Sequence, residues 1–325
     1  MAKSYPSRYN ASGIWTVKDA ATAVSEDDWP HWPHTGTDRG IVGGGDNDTT
    51  TIDYITIVST GNATDFGDLH DPRSATGSVS STTRGIFCGG NPGVNSLQYI
   101  TMHTTGNSAD FGDLSGVSTY GAGGSNNTRG IYSLGYTSPA NVNVIDYFAV
   151  ATLGNTVDFG DLTAARRAPA NGQTCSPTRL LFMGGIAGSE VDTIDFVEFA
   201  SIGNAVDFGD LTGARRTFAG CSSFTRAIGA GGDPGPSTSN VIDYVIIPSH
   251  GNAIDFGDMT ASTNSPIGGS NSVRGVFAGG ETPGYVATID YVAIATSGNG
   301  ADFGDLTAAR SNGAMVTTGH GGLGF

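Results

Sequence analysis

Short stretches in which apolar and polar positions alternate recur along this chain. Examples are TIDYITIVST at 51–60, VIDYFAVAT at 144–152 and TIDYVAIAT at 288–296. Aromatic and β-branched residues at a period of two, between Gly-rich breaks, are signals of strands rather than helices. The pattern therefore predicts an all-β fold.

A second phrase, GNATDFGDL at 61–69, follows the first of these strands and recurs after each of the others. Its first Asp falls at intervals of 45–49 residues, at Asp65, Asp110, Asp158, Asp207, Asp255 and Asp302. An Arg-led apolar stretch such as TRGIFCGG precedes each alternating strand, and a fourth short strand is expected after each phrase. Repeats of about 40–50 residues with four strands are typical of propeller blades.

The ends of the repeat array predict how the ring closes. The first repeat begins at Arg39 and lacks a leading strand, whereas residues 307–322 supply one strand without a blade of its own. A C-terminal strand that completes the first blade leaves no open sheet edge. We therefore predict a six-bladed β-propeller over 38–325, preceded by an N-terminal segment, 1–37.

Composition and charge narrow the class of partner. The 51 Gly suit many tight turns, and 38% of the residues are hydrophobic, which is enough for a packed domain. Seventeen of the 30 acidic residues belong to the repeat, so the net charge of −15 is largely a consequence of the architecture. Phosphate binding needs clustered positive charge, so this balance argues against nucleic acid or an anionic membrane as the partner.

The repeat resembles the kelch type of propeller repeat. The shared features are the double Gly after an apolar strand (Gly89-Gly90, Gly184-Gly185), the Asp-aromatic pair of the next strand (Asp53-Tyr54) and an aromatic residue about a dozen positions later. The DFGDL phrase departs from the ordinary kelch pattern and is similar to a variant found in structural proteins of tailed bacteriophages, especially cyanophages. The phrase YNASGIWTVKDAATAVSEDDWP near the N-terminus is similar to segments of such proteins.

This resemblance implies a non-enzymatic virion protein: a tail fibre, head appendage or decoration that is assembled in the host cytoplasm. The expected partners are other virion proteins, copies of the chain itself and host cell-surface glycan. Two alternatives stay open, a glycan-active enzyme built on a propeller and a cellular kelch-type interaction protein. Neither a cofactor nor a metal is expected.

Two repeated residue types are predicted to be structural. The Phe of each phrase is expected to pack between blades, at Phe66, Phe111, Phe159, Phe208, Phe256 and Phe303. An Arg begins each double-Gly strand, at Arg39, Arg84, Arg129, Arg179, Arg226 and Arg274. Because these arginines match the first Asp of each phrase in number, we expect repeated ion pairs, although a guanidinium also binds backbone carbonyls.

The two Asp of each phrase are expected to accept backbone hydrogen bonds at a bulge, with a calcium site as the alternative.

A second group of arginines is predicted to lie on the face that carries the loops of variable sequence. They follow the DFGDL phrases, at Arg73, Arg166, Arg167, Arg215, Arg216 and Arg310. The loops after the double Gly differ from blade to blade, whereas the Gly-Asn turns on the opposite face are uniform. Variation on one face indicates recognition there, so these arginines are candidates for binding acidic or hydroxyl-rich glycans. The alternative explanation of the variation is drift of loop sequences that are under no constraint.

The N-terminal segment has a separate character. All three tryptophans lie in it, at Trp15, Trp29 and Trp32, and Thr16 with Asp19 can cap a short helix before Trp-Pro-His-Trp-Pro. Trp side chains dominate interface energetics, so we expect this segment to dock onto another virion protein or a sister subunit. Packing against its own propeller is the alternative.

Other motifs predict no chemistry. DFG occurs six times without a nucleotide loop or catalytic loop, which excludes a kinase interpretation. The three cysteines lie at different phases of the repeat, so a disulfide framework is not expected. No stretch reads as a secretory signal or a membrane span.

Overall fold

In the computed structural model, which describes residues 38–46, 49–235 and 237–323, the chain forms a six-bladed β-propeller. The predicted helix and the three tryptophans of the N-terminal segment lie outside the described residues. Each blade is an antiparallel sheet whose innermost strand follows the phrase of the preceding blade. The predicted six-bladed all-β fold is confirmed.

Blades 1 to 3 each contain four strands. Blade 1 consists of β1 (Arg39–Gly43), β2 (Thr51–Thr56), β3 (Thr64–Asp68) and the C-terminal β25 (Ala314–Thr317). Blade 2 consists of β4 (Gly77–Ser80), β5 (Arg84–Cys88), β6 (Val94–Thr101) and β7 (Ala109–Ser118). Blade 3 consists of β8 (Ala122–Ser125), β9 (Arg129–Ser133), β12 (Val144–Ala149) and β13 (Val157–Asp161), and it carries a small hairpin of β10 (Tyr136–Thr137) and β11 (Ala140–Asn141).

Blades 4 to 6 repeat the plan with one irregularity. Blade 4 has three full strands, β14 (Arg179–Ile186), β15 (Glu190–Glu198) and β16 (Val206–Asp210), and its inner edge is formed by residues 173–176 through a single bridge between Cys175 and Leu180. Blade 5 consists of β17 (Ala219–Ser222), β18 (Arg226–Ala230), β19 (Val241–Ile246) and β20 (Ile254–Asp258). Blade 6 consists of β21 (Ile267–Ser270), β22 (Arg274–Ala278), β23 (Thr288–Ala293) and β24 (Ala301–Asp305), and a short 3-10 turn, Gly321–Leu323, ends the described chain.

The repeated phrase forms a bulged outer strand that links neighbouring blades. In β3, Gly67 pairs with Ile52 and Asp65 pairs with Asp53, which leaves Phe66 as the bulged residue. The equivalent Phe of every blade is only 1–3% exposed. The N–H of the Gly that opens each phrase donates to the Phe carbonyl of the preceding blade at 2.8–3.0 Å.

The ring closes as predicted. β25 pairs with β1 in antiparallel register, for example Ile41 opposite Val316. The N–H of Gly61 in blade 1 donates to the Phe303 carbonyl of blade 6, so the last blade contacts the first as every other pair of neighbours does. The core consists of six apolar clusters, each between two adjacent blades.

Candidate functional site: the axial cavity

The arginines that begin the double-Gly strands join blades through backbone carbonyls. Arg84 donates to the Val150 carbonyl of the next blade at 2.9 Å, and its guanidinium lies 4.7 Å from the ring centre of Tyr99 in its own blade. All six arginines repeat this arrangement, with donor–acceptor distances of 2.6–3.2 Å. The expected partner was wrong: each guanidinium binds a carbonyl, and the first Asp of each phrase is exposed to solvent. Arg179 also binds a carboxylate, but that of Glu198 in its own blade, at 2.7 Å.

Four of the six arginines predicted on the variable face are buried instead. Arg73, Arg166, Arg215 and Arg310 are 1–3% exposed, so they are not available to a ligand. Three of them form ion pairs with the Asp of the Ile-Asp-aromatic strand: Arg166 with Asp195, Arg215 with Asp243 and Arg310 with Asp53. The physical reason lies in the segment that connects each phrase to the next blade, which we call the crossing. It turns inward after the phrase and carries this side chain beneath the surface.

A closed circle of backbone hydrogen bonds surrounds the propeller axis at the variable face. Six residues other than Gly have a left-handed backbone with φ of 48–56°; they are Ala75, Tyr120, Ala168, Thr217, Ser265 and Asn312, which we call the axial ring. The N–H of each donates to the carbonyl of the ring residue of the preceding blade, at 2.7–3.3 Å. The circle is complete because Ala75 of blade 2 donates to Asn312, which lies at the crossing back to blade 1.

The axial ring forms the floor of a cavity of about 630 Å³. Five of its six residues line this cavity, together with residues of the variable loops, among them Asn91, Tyr136 and Asp233. Thr119, Ser138 and Asn264 add hydroxyl and amide groups to the lining. Gly93, Val117 and Ile186 make part of the wall apolar. Below the cavity, all six ring residues surround a second space of about 20 Å³. That space is about large enough for one water molecule, so the ring nearly closes the axis.

Arg167 and Arg216, the other two predicted arginines, do reach this cavity. Arg216 binds the Asp233 carboxylate at 2.9 and 3.1 Å, which neutralises its charge. Arg167 lies 4.9 Å from the ring centre of Tyr136 and donates to the Asn141 side chain at 3.2 Å. Within the described part of the chain, Arg167 has no carboxylate partner, so it presents an uncompensated cation.

The Tyr120 hydroxyl is held in its neutral form. Burial raises its pKa, and Asp46 adds to the rise, while Arg167 and Arg216 oppose it. A neutral phenol both donates and accepts hydrogen bonds. The cavity thus combines two aromatic rings, several neutral polar groups and one free guanidinium.

The opposite end of the axis is filled by the C-terminal tail. His320 is 1% exposed, its Nε2 lies 3.1 Å from the Ser80 carbonyl, and its Nδ1 accepts from the Gly322 N–H at 3.2 Å. A Cβ on Gly322 would lie 1.9 Å from the Ser125 carbonyl oxygen, so only Gly fits there. In the described part of the chain, this tail blocks the axis at the end opposite to the axial cavity.

The three cysteines are free and buried. Burial raises the pKa of Cys175 to about 12 and raises the pKa values of Cys88 and Cys221 as well. Thiols of this kind stay protonated and unreactive. They take no part in the site.

Sequence reasoning missed the axial ring. Its members are Ala, Tyr, Thr, Ser and Asn, and these share no side-chain chemistry. A positional signal was available, since each member lies nine residues after the Phe of its phrase. Residue type gives no warning of a left-handed backbone here, because the ring of hydrogen bonds imposes it.

Comparison with known proteins adds no relative. No protein-family model matches the chain, and no curated protein sequence matches it. Among the described residues there is no group of three or more His, Cys, Asp or Glu placed to hold a metal ion. A helix long and apolar enough to cross a membrane is likewise not found in that part of the chain.

Proposed function

We propose that the protein is a non-enzymatic structural component of a tailed-phage particle that binds host-surface carbohydrate in its axial cavity. The repeat and the N-terminal phrase support the virion assignment through their resemblance to phage structural proteins. The N-terminal segment, with its three tryptophans, docks the propeller onto another virion protein. A propeller attached in this way serves the particle as a tail fibre, a head appendage or a decoration.

The axial cavity is the observation that carries the binding function. Its volume of about 630 Å³ lies within the range of about 300–1,000 Å³ that is usual for ligand pockets. Tyr120 and Tyr136 offer apolar faces with polar tips, and the surrounding hydroxyl and amide groups match the donors and acceptors of a sugar. Arg167 adds a charge-assisted donor, which favours a carbohydrate that carries a carboxylate.

The same geometry favours binding over hydrolysis. Glycoside hydrolysis needs two carboxyl groups at a set separation across the scissile bond. Of the described residues that line the cavity, Asp233 is the acidic one, and its carboxylate is bound to Arg216. A carboxylate held in this way is a poor general acid.

Two assays on purified full-length protein test this function. Binding to capsular and lipopolysaccharide fractions of candidate hosts is expected, with uronic-acid polymers bound more tightly than neutral ones and without release of reducing ends. Release of reducing ends would identify an enzyme instead. An antibody against the propeller is expected to label purified phage particles, and particles that contain none of this chain would contradict the virion assignment.

A further inference from the structure

The blade crossings contain a buried ion-pair site that differs between blades. Each crossing places one side chain at the position that faces, in blades 1, 4 and 5, the Asp of the next blade's third strand from the axis. An Arg meets an Asp in three blades: Arg310 with Asp53, Arg166 with Asp195, and Arg215 with Asp243. In the other three blades the residues at the two equivalent positions are Arg73 and Gln98, Ser118 and Asp146, and Thr263 and Asp290.

In the complete pairs the guanidinium is held by a carboxylate and by backbone carbonyls. Arg166 lies 3.1 Å from the Asp195 carboxylate and donates to the Phe182 carbonyl at 2.9 Å. Arg310 lies 2.5 Å from Asp53 and donates to the Thr51 carbonyl at 3.0 Å. A planar guanidinium presents several N–H donors in one plane, which suits this set of acceptors.

Blade 6 retains the acceptors but has Thr263 where the Arg stands in blades 1, 4 and 5. Asp290 is 3% exposed, and its carboxylate accepts the Thr260 N–H at 2.9 Å and the Thr260 hydroxyl at 2.8 Å. Blade 3 also lacks the Arg, yet there Asp146 gains a further donor, the Thr156 hydroxyl at 2.6 Å. The residue equivalent to Thr156 in blade 6 is Gly300, which has no side chain to donate.

A cavity of about 80 Å³ adjoins the Asp290 carboxylate. A water molecule needs only about 10–15 Å³ of such space, so this cavity can hold a small ion. Phe277 and Thr288 line it, and their counterparts in other blades, Phe182 and Thr51, supply the carbonyls that bind a guanidinium. Exposed residues Thr260 and Ala261 also line it, which gives a ligand a path from solvent.

We propose that this cavity of blade 6 binds a guanidinium cation. The ligand is either a small free guanidinium compound or the Arg side chain of a docking protein, since both present the same planar donor group. Among the described residues, Thr260 alone donates to the buried Asp290 carboxylate, which therefore gains a counter-ion and charge-assisted hydrogen bonds when the ligand binds. The site is separate from the axial cavity and does not depend on the carbohydrate-binding function.

Calorimetric titration of the full chain with millimolar guanidinium chloride tests the proposal, with sodium chloride and ammonium chloride at equal ionic strength as controls. A saturable heat is expected with guanidinium alone. Titration with N-acetyl-argininamide then distinguishes the two sources, because a site open to an Arg side chain also binds this probe.

The matched variant is Thr263→Arg, which places the chain's own guanidinium in the cavity as in blades 1, 4 and 5. Its affinity for added guanidinium is expected to fall by about tenfold or more, and its melting temperature to exceed that of the wild type. Asp290→Asn is expected to lose the binding as well. Equal guanidinium affinity in Thr263→Arg and wild type would overturn the proposal, even if Asp290→Asn fails to fold.

Discussion

At the residue scale, the most informative groups are ionisable side chains that are buried near the axis and at the crossings. Burial lowers the pKa of His320 from its ordinary 6.5 to about 4. The Gly322 N–H donates to Nδ1, so the proton of the neutral imidazole is on Nε2, where it can donate to the Ser80 carbonyl. The neutral form therefore satisfies both nitrogens.

His320 makes stability depend on pH in a defined window. Because its pKa is lower in the folded than in the unfolded state, its contribution is complete above pH 6.5 and is lost as the pH falls towards 4. At 1.36 kcal/mol per pH unit the loss is on the order of 3 kcal/mol. Urea denaturation of wild type and His320→Gln between pH 7 and 4 measures it. The variant is expected to show a shallower decline, and identical slopes would contradict the assignment.

The buried Arg–Asp pairs predict a second residue-scale effect. In Arg215→Met the Asp243 carboxylate stays buried without its cation, and removing one partner of a buried pair costs about 3–5 kcal/mol. Arg216→Met is the matched control, because the neighbouring Arg216 is a third exposed and an exposed pair contributes only about 0–1 kcal/mol. Chemical denaturation measures the free energy of unfolding of both variants. Equal decreases in the two would contradict a larger contribution from the buried pair.

The sequence allowed the repeated arginines to be found but not their partners. A periodic chain offers every Arg several acceptors at the same spacing, and the count of Arg and Asp could not distinguish among them. Arg84 thus contacts Tyr99 and the Val150 carbonyl rather than Asp110. The packing of neighbouring blades, which the sequence does not specify, brings the carbonyl of the next blade within reach of the guanidinium.

At the element scale, the repeated phrase is a bulged strand that fastens one blade to the next. Asn204 of blade 4 accepts the Asp161 N–H of blade 3 at 3.2 Å, and the Gly203 N–H donates to the Phe159 carbonyl at 2.9 Å. Gly160 has φ of 146°, a conformation that L side chains rarely adopt. The phrase is therefore required at every blade junction, which explains its repetition.

Gly160→Ala tests this fastening. Its Cβ would lie 2.6 Å from the Gly203 carbonyl oxygen, so both backbone strain and the clash oppose it. We expect a loss of about 2–4 kcal/mol in the free energy of unfolding. Gly213→Ala is the control, since its Cβ meets nothing within 4 Å and the change is expected to stay within about 0.5 kcal/mol. A Gly160→Ala protein as stable as the control would refute the role.

Strand prediction succeeded where the period of two was regular and failed where contacts with the rest of the propeller decide the structure. β2, β12 and β23 follow directly from their alternating residues. The inner edge of blade 4 forms only one bridge, at Cys175, although residues 172–175 precede Arg179 by the same distance as the other inner strands precede their arginines. The axial ring was not predictable either, because a left-handed Thr217 is costly by itself and depends on its hydrogen-bonded neighbours.

At the scale of the whole molecule, six similar blades surround an axial cavity whose lining is not six-fold. The axial ring supplies a common floor, while the variable loops and the β10–β11 hairpin supply side chains that differ from blade to blade. The sequence predicted that recognition belongs to this face. It could not predict that four of six candidate arginines are buried, because surface and interior positions alternate within one short crossing.

The most direct measurement is the affinity of the full chain for a bound uronic-acid polysaccharide in wild type and Arg167→Gln. Arg167 is the uncompensated cation of the cavity, so its replacement is expected to weaken binding by about tenfold or more without lowering the melting temperature. Val273→Thr, at a position 61% exposed on the opposite face, is expected to bind like the wild type. Unchanged affinity in Arg167→Gln would contradict the claim that the axial cavity is the binding site.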